Sequence, residues 1–170
     1  YNGVRNAVCG LTYKEVLVLM LALQIPGVKA FMSQLLLTDT FDGFLLAEAS
    51  ITTGFTAVLD GHIHPDFYPE DAVPRQEAGY LYWATMRPVC LSLIRGQRTP
   101  LSFQFVFRLS DTNTARLIGQ TGVAWDAADV AGLFLNIKYA GGSLSATTAT
   151  SLRRFSMDKS LDAAWDQMVR

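Results

Sequence analysis

The chain has 170 residues, 50% of them hydrophobic and 17% charged, with 14 basic against 15 acidic side chains and a net charge of -1. A domain of this length buries roughly 70% of its unfolded surface, so it needs neither disulfides nor a metal to complete a core. The near-neutral balance excludes a globally basic nucleic-acid surface and an acidic tail, and Cys9 and Cys90 are too few for a disulfide framework, which points to a reducing, cytoplasmic compartment.

The apolar run Val16 to Leu23 is far shorter than the roughly 20 residues a bilayer span needs, so no membrane segment is expected. Arg5 and Lys14 before it would suit a signal peptide, but Glu15 abuts the run and no small-x-small site follows. From Met20 onward, Leu21, Leu23 and Ile25 alternate with Ala22 and Gln24 as in a strand. Met20 therefore reads as a native start, with residues 1–19 an upstream extension and residues 20–170 a single domain.

Pro26 and Gly27 end that strand, and Val28, Phe31, Met32, Leu35 and Leu36 recur at helical spacing. Leu45, Ala47, Ala49 and Ile51 alternate with Leu46, Glu48 and Ser50, and Gly54 separates them from Phe55 to Ile63, which predicts a hairpin. Pro65, Pro69 and Pro74 punctuate a polar, acidic loop. A helix is expected from Glu77 to Ile94, kinked at Pro88 and ended by Gly96. Leu101, Phe103, Phe105, Phe107 and Leu109 then point one way along a strand, with Ser102, Gln104 and Arg108 on the other face. Ser110 caps a helix that turns Ala115 and Ile118 inward and ends at Gly122. Asp126 caps one further turn ahead of a strand from Leu133 to Tyr139, and Gly141-Gly142 joins that strand to Ser143 to Ser151 as a hairpin. Leu161, Ala164, Trp165 and Met168 form the stripe of a closing helix that docks on the sheet through Trp165. Hairpins with segregated amphipathic helices predict an α+β domain: a largely antiparallel sheet with helices on one face.

The charge is polarised along the chain. Asp39 to Glu77 holds eight acids and the single base Arg75, whereas Gly79 to Gly119 holds five arginines and the single acid Asp111. Arg87, Arg95, Arg98 and Arg108 are candidate partner-binding residues, because the planar guanidinium forks onto carboxylate or phosphate. With Tyr80, Tyr82 and Trp83 beside them, the segment 87–116 also has the makings of a single-stranded nucleic-acid surface. No nucleic-acid motif accompanies these residues, so mutual pairing or plain solvation of the two segments is the simpler reading.

The only histidines lie in Asp60-Gly61-His62-Ile63-His64-Pro65-Asp66. If the strand continues through this stretch, Asp60, His62, His64 and Asp66 share one face, a candidate divalent-metal site of a small hydrolase, with Glu48 on the neighbouring strand as a further oxygen. Against it, Asp60-Gly61 is a turn dipeptide and Pro65 removes a ladder hydrogen bond. Cys90 lies among apolar neighbours, where thiols are inert. No G-x-S-x-G, P-loop, G-x-G-x-x-G or C-x-x-C motif is present.

Several blocks run in a familiar order: Val28 to Leu36, Asp60-Gly61-His62-Ile63, Arg87-Pro88-Val89-Cys90, Thr99-Pro100-Leu101, Gly132 to Lys138, Asp158-Lys159 and Ala164-Trp165-Asp166. In these the chain resembles, from Met20 to Arg170, the domain-of-unknown-function family 5721 of mainly clostridial Firmicutes. The resemblance implies a stand-alone, intracellular bacterial protein and carries no catalytic, cofactor or binding residue. The leading expectation is a non-catalytic module that binds a protein partner or another copy of itself, through the outer sheet face or the arginine-bearing segment. The metal-dependent hydrolase and the nucleic-acid binder stand as alternatives.

Overall fold

A computed structural model describes residues 21–96 and 98–170; the expectation concerning residues 1–19 lies outside them. Strand β1 (Ala22–Gln24) leads through Pro26 and Gly27 into α1 (Val28–Leu37), and the hairpin of β2 (Phe44–Thr52) and β3 (Thr56–Asp60) follows. Two 3-10 turns, Pro65–Phe67 and Glu70–Ala72, carry the chain to a ribbon of β4 (Gln76–Glu77) and β5 (Tyr80–Leu81), and then to α2 (Trp83–Ile94). β6 (Ser102–Leu109), α3 (Asp111–Thr121), the hairpin of β7 (Val130–Ala140) and β8 (Ser143–Leu152), and α4 (Ser160–Val169) complete the fold. The sheet runs β1-β8-β7-β6-β2-β3 with every neighbouring pair antiparallel, so the α+β expectation holds. Among the described residues no helix is long and apolar enough to cross a membrane.

One sheet face is the core. Phe103, Phe105 and Phe107 of β6 lie opposite Tyr139, Ile137 and Leu135 of β7 on one side, and opposite Ile51, Ala49 and Leu46 of β2 on the other. Trp83, Cys90, Leu117, Leu161 and Trp165 from the helices join them in one buried cluster. The two tryptophans also bond polar groups: Nε1 of Trp83 donates to the Leu35 carbonyl at 2.9 Å, and Nε1 of Trp165 to the Phe134 carbonyl at 3.0 Å. The same register puts Ser50, Gln104, Lys138 and Ser145 in a row across the outer face, so strand alternation divides core from polar surface.

Turn and cap chemistry follows the sequence reading. Gly141 and Gly142 both have positive φ, 58° and 78°, as a tight hairpin turn requires. The Ser110 hydroxyl accepts the Asn113 N–H at 3.2 Å, Gly122 ends α3 in the left-handed region, and Asp126 caps its single turn by accepting the Ala128 N–H at 2.9 Å.

Four expectations are corrected. The helix begins at Trp83 rather than Glu77, because Gln76–Glu77 and Tyr80–Leu81 pair as a ribbon across Ala78 and Gly79, both at positive φ. A bulge between Leu46 and Glu48 shifts the phase of β2, so Leu46 rather than Leu45 joins Ala49 and Ile51 on the core face. Thr114 and Leu117 are the buried residues of α3, and Ala115 is exposed. Leu101 precedes β6 and is exposed, as is Met168 at the end of α4.

At the bulge, the Gly61 N–H donates to the Ala47 carbonyl while the Gly61 carbonyl accepts from the Leu81 N–H, which ties β5 to the end of the β2–β3 hairpin. A Cβ on Gly61 would lie 1.7 Å from the Leu46 carbonyl oxygen, so the two backbones meet only because residue 61 has no side chain. Gly61→Ala is expected to lower unfolding free energy by roughly 3 kcal/mol or more in urea titrations. A midpoint equal to that of the wild type would contradict this close approach.

Candidate functional site

The Asp60 to Asp66 stretch does not continue as a strand. β3 ends at Asp60, His62 makes only an isolated bridge to Tyr80, and Pro65 opens a 3-10 turn that carries Asp66 away. Asp60 and His62 do meet: Asp60 Oδ1 accepts the His62 backbone N–H at 3.0 Å and lies 2.6 Å from His62 Nδ1. The His62 backbone N–H and ring together hold the Asp60 carboxyl below its ordinary value. Glu48 sits opposite Asp60 in the β2–β3 ladder, and the His62 ring lies 4.1 Å from that of Tyr80. His64 lies near enough to bear on the Asp60 carboxyl as well, yet among the described residues no three His, Cys, Asp or Glu side chains converge as metal ligands. The four-ligand face is thus corrected to an exposed Asp60–His62 pair; the turn that Pro65 opens is the physical reason.

The four candidate arginines divide into two kinds. Arg87 donates to Asp42 Oδ2 at 2.9 Å. Arg108 is 5% exposed, and its Nη2 donates to Asp111 Oδ1 at 2.6 Å and to the Ala131 carbonyl at 3.1 Å. These two are engaged within the fold, Arg108 buried and Arg87 partly exposed. Arg95 and Arg98 are exposed just beyond the C-terminal end of α2, and neither makes an ion pair among the described residues. Two of the three aromatic residues that would stack bases are withdrawn, since Trp83 lies in the core and Tyr82 is buried with its hydroxyl donating to Glu77 Oε2 at 2.6 Å; Tyr80 is half-buried with its ring against His62.

Arg95 and Arg98 border a groove of about 500 Å³ between α1, the end of α2 and the sheet. Lys29 of α1 supplies a third exposed cation, and among the described residues no carboxylate lines the groove. Its floor is apolar: Met32, Ile94 and Phe103, with Tyr139 stacked on Phe103 at 5.1 Å between centroids. A concave apolar floor under a one-sign rim is built for an anionic group carried on an apolar body. A larger groove of about 650 Å³ between α3 and α4 has Arg116 as its one charged lining residue among those described, with Asn113, Gln120, Gln167 and Met168 beside it. Cys90 is fully buried and burial pushes its thiol up to about 12, so it offers no thiolate at neutral pH. Lys29 was not legible as a groove residue, because α1 and α2 are distant in sequence and only packing brings them together.

The acidic loop lies at the other end of α2. Its base is held by Glu77, whose Oε1 accepts the Thr112 N–H at 2.7 Å and the Thr112 hydroxyl at 3.2 Å at the start of α3, while Oε2 accepts from Tyr82. Burial pushes the Glu77 carboxyl up, but the hydrogen bonds from Tyr82 and Thr112 outweigh it and hold it below its ordinary value of 4.5. This contact spans 35 residues, and no local pattern announces it. The Arg75 guanidinium lies 4.1 Å from the Tyr82 ring centroid and is drawn onto the same anchor. Beyond the anchor, Asp66, Glu70 and Asp71 are exposed, and Phe67 is 82% exposed.

A carboxyl with a lowered folded value contributes stability above its unfolded value and loses it as pH falls through the folded one. Glu77→Gln is therefore expected to cost about 1 kcal/mol at pH 7. The gap to the wild type should narrow as pH drops below 4.5. Chemical denaturation at several pH values checks this, and a gap that stays constant into acid would remove the charged anchor.

The comparisons agree with the resemblance. The chain matches the family of unknown function DUF5721 over residues 34–170, a span that includes the acidic loop, Arg95 and Arg98 but not Lys29. No curated protein and no solved structure matches the chain. With most of its length inside the match, the chain belongs to the DUF5721 family.

Proposed function

We propose that this protein is a non-catalytic binding module, and that the groove between α1 and the end of α2 takes an acidic protein segment anchored by an aromatic side chain. One observation carries the reading: Lys29, Arg95 and Arg98 border one apolar concavity, and among the described residues no carboxylate lines it to neutralise them. Cations left unpaired around an apolar floor raise the self-repulsion of the free protein, and an anionic partner relieves it. The rim charges then govern encounter rate and salt sensitivity, and burial of the partner's ring on Met32, Ile94 and Tyr139 supplies the non-ionic part of the affinity.

The test is fluorescence anisotropy with a fluorescein-labelled acidic pentapeptide that has a central phenylalanine. Binding is expected to weaken as salt rises, to fall about tenfold or more in Arg95→Glu/Arg98→Glu, and to weaken when serine replaces the peptide's phenylalanine. Absence of binding, indifference to the arginine substitutions, or a preference for a single-stranded oligonucleotide of equal charge would overturn the reading.

A further inference from the structure

The groove has a complementary surface on the same chain. The loop between β3 and β4 displays Phe67 at 82% exposure with Asp66, Glu70 and Asp71 exposed around it. None of the three carboxylates makes an ion pair among the described residues. Phe67 is held at the end of a 3-10 turn, its ring packed edge-on to Tyr68 at 5.2 Å. An ordered ring loses less freedom on docking than a mobile one.

The two surfaces are anchored at opposite ends of one helix. The loop is tied to β5, directly before α2, through the His62–Tyr80 bridge and the Glu77–Tyr80 pair, whereas Arg95 directly follows α2. A helix of 12 residues lies between them, about 18 Å of rise.

We infer that the occupant of the groove is a second copy of this chain: Phe67 of one molecule seats on the apolar floor of the next, with Asp66, Glu70 and Asp71 facing Lys29, Arg95 and Arg98. This rests on the binding-module reading and names its partner. The contact is heterologous, a loop on one copy against a groove on another, so an open assembly keeps one free loop and one free groove at its ends, and it grows until a ring closes. The cationic rim, the carboxylates Asp66, Glu70 and Asp71 around the loop tip, and the exposed Phe67 ring all find counterparts in a single contact.

The test uses the full chain in sedimentation velocity. The wild type is expected to form assemblies that grow with concentration and dissociate in high salt. A groove variant, Arg95→Glu/Arg98→Glu, and a loop variant, Phe67→Ser/Glu70→Lys, should each be monomeric alone. All four positions are exposed, so thermal melting is expected to be unchanged and is the check that the variants fold. An equimolar mixture should give dimers and nothing larger, since only one intact groove and one intact loop remain to pair. A wild type that stays monomeric, variants that associate like the wild type, or a mixture that stays monomeric would overturn the inference. If the chain stays monomeric while the acidic pentapeptide still binds the wild type and not the groove variant, self-association fails and the binding module stands. If the peptide does not bind either, both fail.

Discussion

The burial of Phe103, Phe105 and Phe107 on one face of β6 is the constraint on which the rest of the structure depends. Each of these rings gains roughly 1.5–3 kcal/mol from leaving water, and a strand cannot bury three of them without neighbours on both edges and a layer above. β2 and β7 supply the edges. The layer is built around Trp83, edge-on to Phe105 at 5.4 Å and to Phe107 at 5.1 Å. The Trp83 indole also holds the Leu35 carbonyl, so α1 and α2 are set against the same aromatic row.

That packing has a consequence at each end of α2. At its start, the chain must pass from the β2–β3 hairpin to Trp83, and the crossing at Gly61 and the Glu77 anchor leave the acidic loop projecting beyond them. At its end, Ile94 lies against the floor that Phe103 and Tyr139 continue, and Arg95 and Arg98 emerge at the border. The charge polarity along the sequence thus becomes a separation along one helix axis. Of the simpler reading, mutual pairing applies to Arg87 with Asp42, whereas Arg95 and Arg98 are left to solvent.

The candidate site was legible only in part. Arg87, Arg95, Arg98 and Arg108 look alike in the sequence, yet two are spent on Asp42, Asp111 and a backbone carbonyl. Nothing local marks which arginine will find a carboxylate, because Asp42 reaches Arg87 across 45 residues. The histidine cluster misleads for the opposite reason: spacing of two is meaningful only while the strand persists, and Pro65 ends that condition with a turn. Lys29 and Glu77 gain their roles entirely from packing between distant elements.

What the sequence by itself determined is the set of elements with local signatures. Alternation placed β6, the glycine pair placed the β7–β8 turn, Ser110 and Asp126 placed their caps, and the Leu161 to Trp165 stripe placed α4, because each rests on contacts within a few residues. Phase was less secure: the bulge at the Gly61 crossing turned Leu45 and Leu46 over, and the ribbon at Gln76–Leu81 displaced the predicted start of α2. Only the tertiary structure decided which charges remain free and where they face. Pairing between side chains tens of residues apart depends on how helices pack on the aromatic row, and no periodicity in the chain encodes that distance.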